Sequence, residues 1–579
     1  MFSTIRLASL LALALSTISY AFVVNRLNGG ASIIYVDFNT PGSALPLELT
    51  RTYNSITAID EKTSWLGVFG WGWTAPFETT LTTTPERIVL LRDGATGNTI
   101  VFKPQGEDSK GREAFFEAVK KAFYEKKLGR TIKAEELRTL QLPQTLLSRM
   151  KSDPIYRKEL ATQYDIKLPI PQGELLISTE YGYQTIEFKN NQWIRSQDGK
   201  TQVFDGQGRL VRQQDRNGAF YEFRYSPTQK LQLTEMVTGD RSNGFKFTFR
   251  QERIVEVSDS HGKHAKYTYD SSGNLIQSVD SNGITYLYKY ENKKFPHLIT
   301  RIEYPNESPG TEKIFREISY DNQGLVTAHR DKDGSFTQYI YGRSAHDPEN
   351  NFFTKTIRQL GKIKTELYED FFLKAKPDGS KYLYKQETRQ NGSSITTVFT
   401  ACCGKPSQIT KNGEVTQFKY YEDGMLKEKV SPREVIRLEY DARWKKANKI
   451  YQNGATYQYD YDARGNLVKA SNSKAEKVSL KYDTMGRVLA MVNQTGREIS
   501  FRYDGSLGRP VVISEKGVGT IKLEYDGSGR ITKTQTIVEK KRGRKPSELA
   551  SQETVKRIMS GFEQLMDLIR PAGVPLTAG

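Results

Sequence analysis

The chain of 579 residues holds only two cysteines, Cys402 and Cys403, and they are adjacent. A disulfide framework needs partners separated in sequence, so a stapled scaffold is excluded, and reactive-thiol and zinc patterns use spaced ligands that are missing here. Histidine is also scarce, five in all, and the close pair His261 and His264 has no third ligand nearby for tetrahedral zinc. No metal and no cofactor are therefore expected. There is no Gly-x-Ser-x-Gly elbow, no Walker A loop and no His-Glu-x-x-His helix. The many carboxylates stand at turn positions, where Asp has a structural reason to be. No catalytic residue is assigned, and the expectation is a non-enzyme.

Long apolar runs are missing with one exception. The run 7–15 follows Arg6 and is too short to span a bilayer, which takes about 20 residues. Ser19-Tyr20-Ala21 then offers small residues to a signal peptidase. Residues 1–21 read as a cleaved secretory signal, with the mature chain starting at Phe22 and no second hydrophobic segment after it. The expected location is the periplasm, the cell surface or the medium.

Hydrophobic content is low at 37 % while aromatic content is 11 %, with 32 Tyr, which is the balance of a large sheet with one wet face. The net charge of +18 is spread along the chain and favours anionic partners without naming one. A basic, soluble exterior with no cognate anion is the plainer reading.

What is present is a repeat. Tyr-Asp pairs stand at Tyr440-Asp441, Tyr461-Asp462, Tyr482-Asp483, Tyr503-Asp504 and Tyr525-Asp526, at intervals of 21, 21, 21 and 22 residues. Earlier copies are Tyr269-Asp270 and Tyr320-Asp321. Ile499, Phe501 and Tyr503 alternate with Glu498, Ser500 and Arg502, and this period of two predicts strands with one buried face. A Gly follows four residues after many of these tyrosines (Gly273, Gly324, Gly465, Gly486, Gly529), where Asp-x-x-Gly suits a tight reversal. A second turn sits seven residues before each closing aromatic. Asn217-Gly218, Asn282-Gly283, Asn391-Gly392, Asn412-Gly413 and Asn453-Gly454 predict type I′ hairpins there. Each unit is then two short antiparallel strands, and the array covers residues 173–538. The long intervals 290–320 and 341–399 predict extended loops.

The segments Tyr461-Asp462-Ala463-Arg464-Gly465-Asn466-Leu467 and Tyr482-Asp483-Thr484-Met485-Gly486-Arg487-Val488 resemble the YD repeats of bacterial Rhs proteins and animal teneurins. Residues 22–104 resemble the segment that precedes those repeats, through Arg51-Thr52-Tyr53-Asn54-Ser55 and the later Gly70-Trp71-Gly72-Trp73. The resemblance implies a β-spiral shell, with residues 22–104 plugging one end. In toxin-delivering members the shell encloses a C-terminal toxin released by self-cleavage. This sequence departs from that plan: no Asp-Pro-x-Gly type segment follows Tyr525, and no cargo-sized domain stands beyond it. An open or partly closed spiral is expected. Trp65, Trp71 and Trp73 read either as core or as a sugar-stacking platform, with core the plainer choice.

Two segments stand outside the repeat. Residues 105–172 carry helical composition, with Phe116, Val119, Ala122 and Phe123 on one face, and read as an insertion that covers a sheet edge or recognises a partner. Residues 539–579 begin with a basic run at 540–546 that is similar to an AT-hook but has Lys545 before its Pro, so no DNA partner is expected. Behind it, Val555, Ile558, Phe562, Leu565, Met566 and Ile569 fall at helical spacing. This stripe either packs on the chain's own shell or mediates self-association through Val555, Phe562, Leu565 and Ile569. The whole reads as an exported, non-enzymatic, mainly β shell that binds or encloses a polypeptide or an anionic envelope polymer. The alternative is a component of an Rhs-type toxin-delivery system whose tail or insertion acts on nucleic acid or membrane.

Overall fold

The computed structural model describes residues 22–42, 45–59, 66–84, 87–104, 109–166, 172–179, 181–228, 232–305, 315–376, 381–401, 403–505, 507–526, 529–539 and 548–569. The expected signal peptide, Trp65, Cys402 and the basic run 540–546 lie outside them.

The alternating segments form one antiparallel sheet of 36 strands, from Thr80–Thr83 to Ile531–Val538, in which the strands follow one another in chain order. We refer to this sheet as the wall. Among the described residues no register joins its last strand to its first. Ile531–Val538 pairs only with Gly519–Tyr525, and Thr80–Thr83 pairs with Val89–Arg92. The first coil is tied back by a single bridge, Thr80 to Arg209, and by the Leu81 N–H donating to Gly208 O at 2.9 Å. The wall is thus an open spiral, as the short array implied.

The repeat residues make the strands turn. At most closing aromatics, though not at Tyr341, which pairs with Thr354 without a slip, the register slips by one residue, for example between Asp460 and Tyr461 and between Lys481 and Tyr482. Such a bulge bends the strand and tightens its twist. A buried tyrosine hydroxyl costs free energy unless it is bonded, and each of these donates to a carbonyl of an earlier strand. Tyr461 reaches Ala447 O, Tyr482 reaches Leu467 O and Tyr503 reaches Val488 O, at 2.7 to 2.8 Å. Asp462 Oδ1 accepts from the N–H groups of Arg464 and Asn466, and Asp483 Oδ1 from those of Met485 and Arg487. Gly465 adopts φ +78°, and a Cβ on it would come within 2.8 Å of Trp444. Its bareness therefore serves both the turn and a close crossing.

Three expectations need correction. Asn391, Asn412 and Asn453 have positive φ, as type I′ turns require, but Asn217 and Asn282 do not. There Asp215 and Asp280 accept two backbone N–H groups each and build a longer Asp-x-x-Gly turn. The interval 341–399 holds long strands instead of long loops: Asn351–Leu360, Ile363–Ala375 and Lys381–Gln390. Finally, the helical insertion does not cap an edge. Helices α1 (Ser109–Leu128), α3 (Gln144–Ser152) and α4 (Pro154–Gln163) pack around Phe115, Val119, Met150 and Leu160 as a core of their own, and the short α2 (Ala134–Thr139), which buries no side chain, lies between α1 and α3 in the chain. The strands on either side of them, Thr99–Pro104 and Leu175–Ser178, pair with each other, so the insertion stands where a hairpin turn would be.

Two elements fill the spiral. The first is a four-stranded plug built from Phe22–Val24, Ala31–Thr40, Leu47–Asn54 and Trp73–Thr74, packed on the first coil through Tyr35, Phe38, Tyr53, Phe69 and Trp73. The second is helix α5 (Glu548–Ile569), whose Phe562, Leu565, Leu568 and Ile569 lie against strands of the last coil. Both sit on the same face of the wall. Pairing carries that face from Tyr339 through Thr356, Leu367, Gln390 and onward to Ile436, Ile450, Tyr457 and Leu480.

Candidate functional site

The inner face is dry at both ends and wet between them. Under the plug, Ile186, Phe204, Tyr267, Tyr288 and Ile318 are buried, and under α5 so are Ile436, Leu438, Ile450, Val478 and Ile499. Between these regions the inward positions are half-buried and mostly neutral: Thr356, Thr388, Ile395, Thr397, Ile409 and Thr416. The Thr356 hydroxyl is enclosed and has no hydrogen-bond partner among the described residues. The outward face of the same strands carries ion pairs, Lys355 with Glu366 and Lys385 with Glu387 at 2.9 Å each, and Arg389 with Asp370. The inside of these strands is mainly hydroxyl, amide and apolar, with Glu369, Lys411 and the Lys429–Glu434 pair at 2.7 Å as its inward charges.

A latch marks the boundary of this strip with the plug. Glu369 is buried on the inner face, where it receives Arg26 Nε, Arg26 Nη2 at 3.3 Å and Gln386 Nε2 at 3.0 Å. Thr354 Oγ1 donates to Arg26 O at 2.7 Å, so the plug's first loop is held by side chain and backbone together. A cavity of about 570 Å³ opens between that loop and Glu369, Phe371, Leu383 and Gln386. At the other boundary Arg497 pairs with the buried Glu515, at 2.6 Å from Nε and 3.0 Å from Nη2. The same guanidinium donates to Arg557 O and Gln564 Oε1 of α5, both at 3.1 Å.

The plug is organised around a buried charge. Arg51 donates from Nη2 to Asp37 Oδ1 at 2.9 Å and from Nε to Asp37 Oδ2, and Tyr267 of the wall donates to the same carboxylate at 2.7 Å. The guanidinium lies over the rings of Trp73 and Tyr267, at 4.8 and 5.0 Å. Burial opposes its charge, and Asp37 together with Tyr288 and Tyr267 outweighs that effect. Burial also pushes the Tyr482 and Tyr503 hydroxyls up to about 12, so they remain donors at any physiological pH.

The residues singled out in the sequence are dispersed along the wall. Tyr269, Tyr320, Tyr440 and Tyr525 donate to Ile254 O, Ile299 O, Leu426 O and Pro510 O as their counterparts do. Asp270, Asp321, Asp441, Asp504 and Asp526 accept N–H groups of their own turns. Gly273, Gly324, Gly486 and Gly529 all have positive φ. These are building residues and do not converge on one site. Of the tryptophans, Trp73 is fully buried and offers no face to a sugar, while Trp71 stacks on His297 at 4.4 Å and donates to Ser272 O. Trp73 is therefore a core side chain, and His297 covers one face of Trp71. Val555, Phe562, Leu565 and Ile569 are turned to the chain's own wall. The inner strip and the two latches escaped sequence reading. The period of two places Glu369 and Phe371 on one side of their strand, but it does not say which side is inward or what Glu369 meets there.

The coils also touch each other, through turns. Thr179, Gly199, Arg216 and Asn217 of the first coil meet Gly424, Trp444, Gly465 and Gly486 of the last. No strand pairing crosses this seam among the described residues.

A family model described as a domain of unknown function, DUF6531, matches residues 23–102. No curated protein matches the chain. Among solved structures the chain is similar to the crystal structure of TcdB2-TccC3-TEV, with 11% identity, 92% of this chain and 28% of that chain covered, and a TM-score of 0.38. It is also similar to the Photorhabdus luminescens Tc holotoxin pore, with 11% identity, 89% and 26% covered, and a TM-score of 0.38. A porin-like protein from Bacteroides uniformis matches at 10% identity over 54% of this chain and 93% of that one, with a TM-score of 0.12. The chain spans less than a third of the length of the two Tc chains.

Proposed function

We propose that this protein is an exported shell that acts by binding and not by catalysis, holding a segment of another polypeptide against the neutral strip of its inner face. The observation that carries the reading is the sorting of the strip itself. Threonine hydroxyls and glutamine amides face inward between two dry, latched ends, while the ion pairs of the long strands 351–390 face out. Neutral donors and acceptors suit main-chain amides, whose hydrogen bonds must be replaced when water is removed. The same lining is mostly neutral, and its Lys429 is already paired with Glu434 at 2.7 Å, so we place any contact with an anionic polymer on the basic exterior.

A photo-reactive residue installed at Thr388 or Thr397 tests this. The expected result is a cross-link to a second polypeptide in fractions outside the cytoplasm, with none from a control position on the outward face at Arg389. Equal cross-linking from both faces, or none from the inner one, would sink the proposal. Intact mass of the same material reads export separately, through a chain that begins at Phe22.

A further inference from the structure

Where the last coil meets α5 there is a second cavity, of about 450 Å³. Leu480, Met491 and Phe501 of the wall form its floor, and Phe562 and Ile569 of the helix form its other side. These groups make the cavity largely apolar, and Phe501 and Phe562 meet edge to face at 6.3 Å between ring centres.

Its rim is different. Two cations from different coils converge on one carbonyl oxygen: Lys446 Nζ lies 2.7 Å from Gly465 O, and Arg216 Nη1 lies 3.3 Å from it. Among the described residues neither makes an ion pair within 4 Å. The nearest carboxylates acting on Lys446 are Asp198 and Asp462. Asp462 is committed to its own turn, accepting from Arg464 N, Asn466 N and Asn466 Nδ2. Like charges brought together beside an apolar chamber repel one another, and an anionic group between them would relieve this at about the strength of a charge-assisted hydrogen bond.

We propose that this cavity binds one single-chain fatty acid anion, its hydrocarbon tail between α5 and the wall and its carboxylate at Arg216 and Lys446 on the seam. The site requires both coils, because Arg216 comes from the first and every apolar wall from the last coil and α5. It does not depend on what the neutral strip holds, so the two proposals fail independently.

Isothermal titration of the full chain with dodecanoate, kept below its micellar concentration, is the direct test. One equivalent should bind. Dodecanol, which has the same tail without the charge, and the double variant R216A/K446A should each bind at least about tenfold more weakly, the equivalent of about 1.4 kcal/mol. The single variant K446M removes the charge while keeping an unbranched side chain and guards against a misfolded double variant; it should lose affinity in the same direction. Equal affinity for dodecanol, or unchanged affinity in K446M, would overturn the proposal. So would acetate or inorganic phosphate binding as tightly as dodecanoate, since a bare anion site needs no apolar chamber. Dodecanoate binding that splits a dimer would assign the cavity to a second copy of the chain and overturn it as well.

Discussion

The two ends of the spiral are filled by different means. At the first end a small β module enters the coil and is fixed by directional bonds. Wall N–H groups of Ile254, Ser281 and Val326 donate to plug carbonyls of Val68, Asp37 and Gly29, each at 2.9 Å, and Tyr53 donates to His297 O. At the second end an amphipathic helix lies on the wall, mainly through apolar contact, with Arg497 and the Tyr459 hydroxyl giving it polar anchors. Apolar burial is non-directional, while hydrogen bonds and buried ion pairs fix position. The plug is thus held mainly by directional bonds and the helix mainly by apolar burial, and the expected consequence is that the helix loosens at lower cost than the plug.

The largest effect should come from Arg51. Replacing it by Met leaves the Asp37 carboxylate buried without its partner, at a cost of about 3 to 5 kcal/mol. Thermal melting should drop sharply, and hydrogen exchange should rise across residues 31–54. Protection of residues 548–569 should change little at temperatures where the wall survives. If both ends lose protection together, the ends are one cooperative unit and the contrast drawn here is broken.

An intermediate effect is expected from pH, at the plug end. His329 lies against Phe22 and Tyr339, and burial together with Arg316 holds it down to about 4, against 6.5 for the ordinary group. The unfolded chain therefore binds a proton between about 6.5 and 4 that the folded chain refuses. Stability from this residue is intact above that window and falls as the pH drops through it, by at most about 3 kcal/mol. The substitution H329F should flatten the acid limb of a melting-temperature profile. At the seam the window lies elsewhere: Lys446 is lowered to about 8 by burial and Arg216, so that contact weakens as the pH falls from about 10.5 toward 8. Acidification from neutral pH should therefore loosen the plug without further change at the seam, whose window is already passed, and a seam that loosens between pH 6.5 and 4 would contradict the assignment.

The smallest effect should come from Glu515→Gln. It removes the charge that aims Arg497 at α5, at a cost of about 1 kcal/mol. Exchange of the α5 amides should quicken while the plug amides stay unchanged. Loss of protection throughout the last coil would show that the helix is part of its core after all.

Much of the wall was legible in the chain. A Tyr that ends an alternating run, an Asp that accepts its own turn's N–H groups and a Gly at positive φ are local requirements, and 461–465 meets them without help from distant residues. Other features depended on neighbours. Asn217 and Asn391 both precede a glycine, yet only the second turns as type I′, because Asp215 supplies acceptors that lengthen the first turn. The strands at 351–390 have no 21-residue marker, so their length appears only once each has a partner to pair with.

The sequence by itself determined the repeat, the strand period, the turns and the apolar stripe of α5, because each follows from backbone sterics and hydrogen bonding within about twenty residues. Tertiary structure alone decided which face of the wall is inward, that Arg26 meets Glu369 across 343 positions, and that Arg216 and Lys446 share one carbonyl. Those contacts depend on the accumulated bend of many bulged strands. A small change of twist at each strand moves a residue many strands away to a different neighbour, and no local pattern records that sum.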